Sequence, residues 1–97
     1  MKQADQERVL TAMRSLSEAL NKYHGGTQTA QYVDETISEL EKCEGKAFVG
    51  GFEYYIVKAG MLRTSEGVKL NDIEYKRWHE LASMKDLGND LFFGLGL

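Results

Sequence analysis

No proline occurs anywhere in the 97 residues of this chain. Proline removes a backbone donor and clashes with the preceding turn, so a chain without it meets no obligatory helix break. The apolar residues recur mostly at helical spacing. Together these features predict an all-α domain: about four helices in a small bundle, over residues 4–24, 29–44, 50–63 and 71–85, with an apolar C-terminal tail.

The first helix carries the plainest stripe. Val9, Met13, Leu16 and Leu20 share one face, widened by Leu10, Ala12 and Ala19. Gly25-Gly26 ends it, since glycine reaches the left-handed cap conformation without a Cβ penalty. His24 falls in its last turn, where the helix dipole favours a cation. Thr27 or Thr29 caps the second helix, and Asp34 and Glu35 follow in its early turns. Ala30, Val33, Ile37 and Leu40 form its inner stripe, and Gly45 is the expected stop. For the last helix Asn71 is a good N-cap, with Glu74 three residues on as the capping-box partner. Ile73, Trp78 and Leu81, with Tyr75, Ala82 and Met84 beside them, supply its apolar side.

The third segment admits two readings. Phe48, Phe52, Tyr55, Ile56, Ala59 and Leu62 fit one helical face, yet Gly50, Gly51 and Gly60 each cost about 1 kcal/mol against alanine inside a helix. The alternative is α+β, with a small β-hairpin over residues 46–57 turning at Gly50-Gly51 and a third short strand at Gly67–Leu70. Phe52 to Val57 has the aromatic and β-branched composition of a strand. The helical periodicity makes the helix the preferred reading.

Composition sets the class. With 42% hydrophobic and 28% charged residues the chain belongs among globular proteins, with room for a single domain over residues 1–97. Cys43, the only cysteine, has no intramolecular partner, and no Asn-x-Ser/Thr sequon occurs. No apolar run follows Met1, and no stretch approaches the roughly 18 apolar residues of a membrane span. A cytoplasmic location without membrane insertion is the expectation.

The formal charge of −3 makes nucleic acid an unlikely partner, because such binders need a basic face to displace counterions. The charge is unevenly spread: residues 27–53 hold Asp34, Glu35, Glu39, Glu41, Glu44 and Glu53 against only Lys42 and Lys46. This acidic stretch suits either internal complementarity or docking of a basic surface.

No chemical motif is complete. His79-Glu80 opens a zinc-helix pattern, but Ser83 stands where the second histidine must be. Cys43 beside Glu44, near a helix end, sits where neither dipole nor neighbouring charge favours a thiolate. Gly50-Gly51 and Gly94-Leu95-Gly96 lack the lysine–hydroxyl pair of a phosphate loop. Tyr54-Tyr55 with Phe52, Lys46 and Lys58 would stack single-stranded bases only if they shared a sheet face. No catalytic residue, metal ligand or cofactor is predicted.

The expectation is a non-catalytic protein–protein interaction module, a small inhibitor, immunity-type or regulatory protein. Phage and mobile-element inhibitors are objects of this kind, by type and not by sequence. Glu35 and Glu39 would steer a basic partner, and Tyr54, Tyr55 and Trp78 would anchor it. The tail residues Leu91, Phe92, Phe93, Leu95 and Leu97 complete the set, since so apolar a terminus must be covered by its own core or by another chain. A self-assembling subunit, in which a homo-oligomer covers it, is the alternative. A small ligand- or single-strand-binding domain is the remaining one.

Overall fold

The computed structural model describes residues 1–89. Four helices follow one another: α1 (Gln3–His24), α2 (Gln28–Leu40), α3 (Gly45–Glu66) and α4 (Asp72–Ser83), and a short 3-10 segment, Met84–Asn89, follows α4. The all-α reading holds, and no strand occurs among the described residues. The tail positions Leu91, Phe92, Phe93, Leu95 and Leu97 lie outside the described residues.

The helices run up, down, up and down. α1 packs on α2 and on α4, and α2 packs on α3. The order around the bundle is therefore α3, α2, α1, α4, closed where α3 meets the 3-10 segment and Arg63 covers Trp78, and the molecule measures 43 × 23 × 20 Å. None of the described helices is long and apolar enough to cross a membrane.

The predicted stripes form the core. Val9, Met13, Leu16 and Leu20 of α1 are fully buried, and Ala30, Val33 and Leu40 of α2 meet them, with Ile37 half-buried at the margin. On α4 the stripe is only partly right. Leu81 is buried and Trp78, Ala82 and Met84 are half-buried, whereas Ile73 and Tyr75 face outward.

α3 resolves the ambiguous segment as a helix, and a longer one than the periodicity outlined. It begins at Gly45 instead of residue 50, because only then do Phe48 and Val49 enter the core beside Phe52, Tyr55 and Ala59. Fully burying a phenylalanine contributes about 1.5–3 kcal/mol, so Phe48 and Phe52 together offset the three helical glycines. Gly51 has a packing reason as well: a Cβ there would lie 2.9 Å from Leu40 Cδ2, so glycine lets α2 and α3 close up.

Gly45 is thus a start and not the stop of the helix before it. α2 ends earlier, at Leu40, in tight turns through Lys42 and Cys43. The stop of α3 is Gly67, whose φ of 73° places it in the left-handed region. The Gly67 N–H donates to Thr64 O and the Val68 N–H to Arg63 O, the paired bonds of a Schellman cap.

The polar ends of the helices gather at one pole. Thr27 is the α2 cap, its hydroxyl oxygen accepting from the Ala30 N–H at 3.1 Å. Glu66, at the end of α3, reaches across to the same helix start. Its carboxylate accepts from the Gln28 N–H at 2.7 Å, the Thr29 N–H at 2.8 Å and the Thr29 hydroxyl at 2.7 Å. These bonds, the Thr29 hydroxyl first and the Gln28 N–H next, hold the Glu66 carboxyl below the ordinary glutamate value. On α4 the Asn71–Glu74 capping box forms as predicted, with bonds of 2.8 and 2.9 Å.

Candidate functional site

The acidic face and the first tyrosine of the pair meet in one place. Glu35 and Glu39 lie one turn apart on α2, both exposed. Across from them α3 presents Gly51 and Tyr54. Between these walls runs an open groove of about 470 Å³, mostly apolar in lining, whose remaining walls are Tyr32, Thr36, Leu40 and Cys43. An open groove of this size takes a side chain or two of a partner.

Local rules explain how the walls are set. Tyr32, Glu35, Thr36 and Glu39 recur at three and four residues, so one face of α2 carries them all. Thr36 donates its hydroxyl back to the Tyr32 carbonyl at 2.8 Å, so this polar group is satisfied within α2. Gly51, lacking a side chain, leaves the floor open beside Leu40.

The electrostatics are mixed but net acidic. Among the described residues neither Glu35 nor Glu39 has an ion-pair partner, and Glu35 accepts only from the Gln31 amide at 3.2 Å. Lys58 stands on the α3 rim with its ammonium 5.2 Å from the Tyr32 ring centre and 5.7 Å from that of Tyr54. Both ring faces are thus presented to a cation, an attraction of about 0.5–1 kcal/mol at an exposed site.

The other predicted anchors fall elsewhere. Tyr55 is a core residue, 2% exposed, and offers no surface to a partner. The 100° step between successive helical positions sends it inward where Tyr54 goes outward. It stacks between Tyr32 and Phe52, with ring centres 5.8 and 6.5 Å away. Burial, and next the neighbouring Tyr32, push its phenol well above the usual tyrosine value. Its hydroxyl has no hydrogen-bond partner among the described residues. Trp78 lies on the far side of α3, half-buried under the Arg63 guanidinium, 4.8 Å from the ring centre. It shares no wall with the groove.

The two histidines and the cysteine stay apart. His24 Nδ1 lies 2.5 Å from the buried Glu74 carboxylate, and His79 stacks on Tyr75 with centres 5.8 Å apart. Cys43 sits at the opposite end of α2 from His24, its thiol against the Glu39 carbonyl at 3.4 Å. No group of three or more His, Cys, Asp or Glu side chains among the described residues is placed to hold a metal.

Two features escaped the reading of the sequence. Tyr32 is not among the expected contact residues, though its spacing from Glu35 and Glu39 puts all three on one face. Val57 and Met61 were not singled out, yet they are what remains of α3 once its core stripe is removed. Comparison with known proteins returned nothing: no protein-family model, no curated protein and no solved structure matches this chain significantly.

Proposed function

We propose that this protein is a non-catalytic docking module whose α2/α3 groove receives a basic segment of another protein. The observation that carries the reading is the convergence of Glu35, Glu39 and Tyr54 around an apolar floor. An apolar side chain of the partner fills the floor, while Lys or Arg beside it meets the two carboxylates. Unpaired carboxylates on an open rim accelerate encounter more than they deepen affinity. Small inhibitors and regulatory subunits work through surfaces of this kind.

The test uses a defined probe, an amphipathic helical peptide with leucines on one face and lysines on its flanks. The expected result is backbone amide shifts in an NMR titration confined to α2 and the first half of α3. Binding should weaken as salt rises and disappear in Glu35→Lys/Glu39→Lys. Shifts confined to other helices, or binding indifferent to the double charge reversal, would refute the groove as the docking site.

A further inference from the structure

α3 is apolar on two opposite sides. Phe48, Phe52, Tyr55 and Ala59 face the core, while Tyr54, Val57 and Met61 stand 63, 63 and 68% exposed on the outside. The outer three recur at three-then-four spacing, the seam of a heptad repeat. One turn earlier the seam continues through Gly50, which is exposed and around which a Cβ would meet nothing within 4 Å among the described residues. A mid-helix glycine costs about 1 kcal/mol against alanine. Leu40 accounts for the neighbouring Gly51, but nothing among the described residues accounts for Gly50.

The flanking charges say what fits the seam. With Tyr54 and Met61 at heptad position a and Val57 at d, Glu53 falls at g and Lys58 at e, both exposed. In a parallel pair of identical helices each g residue faces the e residue five positions on in the other helix, so Glu53 meets Lys58 twice across a two-fold axis. An antiparallel pair would instead set Glu53 beside Glu53 and Lys58 beside Lys58. Lys46, one heptad before Glu53, faces Gly51 of the other copy, where the adjoining rim carries Glu39. The surface is complementary to itself in one orientation.

We propose that the outer face of α3 docks against α3 of a second copy of this chain, parallel and in register. Tyr54, Val57 and Met61 form the seam and Gly50 lets the backbones approach. Such a seam is too short to order two free helices, but α3 is already ordered by its own core, so association joins preformed surfaces. The inference does not rest on the groove reading. The two meet at Tyr54, whose ring cannot serve a groove-bound partner and a second copy together.

Sedimentation velocity of the purified chain over about a hundredfold concentration range tests it, because a dimer responds to its own concentration. The expected species has the mass of two chains, and Val57→Glu reduces it to one while the helical circular dichroism is retained. Glu53→Lys alone weakens the dimer about tenfold at low salt, and adding Lys58→Glu restores it. Orientation is read by Met61→Cys in a Cys43→Ser background. Parallel register brings the two thiols together to oxidise, whereas antiparallel pairing centred between Tyr54 and Val57 holds those positions about 16 Å apart along the axis. A monomer at every concentration, a dimer that survives Val57→Glu, or a dimer that Met61→Cys cannot cross-link would each overturn the proposal.

Discussion

His24 and Glu74, fifty residues apart in sequence, join the last turn of α1 to the first turn of α4 through a 2.5 Å contact between Nδ1 and Oε2. The other oxygen of Glu74 accepts from the Asn71 N–H at 2.9 Å, so one fully buried carboxylate serves both a helix cap and an interhelical tie. Removing a partner from a buried polar group costs the desolvation that the pair had offset. His24→Ala is therefore expected to destabilise the fold by about 2–3 kcal/mol and Glu74→Ala by about 3 kcal/mol or more. A double-mutant cycle by urea unfolding should return a coupling of about 1–3 kcal/mol. Additive losses would mean that the two side chains act separately.

Glu66 makes a prediction about acid. Its carboxyl lies below the ordinary glutamate value in the fold, so it binds protons more readily when unfolded. Its contribution is thus fully present above the unfolded value and is lost as pH falls through the lowered folded value. The stability difference between the native chain and Glu66→Gln should be constant near neutrality and shrink in that acid window. Urea midpoints measured for both proteins across the window check this. A difference that grows with acid would contradict it.

The Tyr55 hydroxyl is buried without a partner among the described residues, an arrangement that costs about 1–3 kcal/mol of desolvation. Tyr55→Phe keeps the ring stack with Tyr32 and Phe52 and removes the unpaired group. It should raise the urea midpoint, by about 1 kcal/mol in stability, with an unchanged slope. A loss of stability would reveal a bond that the hydroxyl makes after all.

Two glycines of α3 should separate under alanine substitution. A Cβ at Gly60 meets nothing within 4 Å among the described residues, so Gly60→Ala is expected to gain about 1 kcal/mol from helix propensity. At Gly51 the same atom would press on Leu40 Cδ2, and the buried Leu40 must move. Gly51→Ala should therefore fall short of that gain or turn it into a loss. Thermal unfolding of the two variants side by side decides it.

What was legible in the sequence was what local rules govern. The stripes of α1 and α2 and the Asn71–Glu74 box follow from spacings of three and four, and the structure keeps them. Where such rules conflict, as at Gly50-Gly51, tertiary burial of Phe48 and Phe52 decides, and it also moved the start of α3 to Gly45. Tyr55 was readable: its place in the Phe48–Phe52–Ala59 stripe already marked it as core, against its choice as an anchor. The His24–Glu74 tie and the reach of Glu66 to Thr29 were not, because no short-range spacing encodes which helix ends will meet. The groove lay between: its α2 wall is a helical face, but that Tyr54 would stand opposite depends on how α2 and α3 dock.

The clasp formed by His24, Glu74, Glu66 and Thr29 lies wholly at one pole, where α1 and α3 end and α2 and α4 begin. The start of α1 and the end of α4 emerge together at the other pole. A load applied between them does not shear the bundle along its length. It acts on α4 from its end, first at the buried Leu81, then at the Arg77 bond to the Ser15 carbonyl, before it reaches Glu74. The His24–Glu74 contact, at the far end, is thus the last tie between the two helices to take the load.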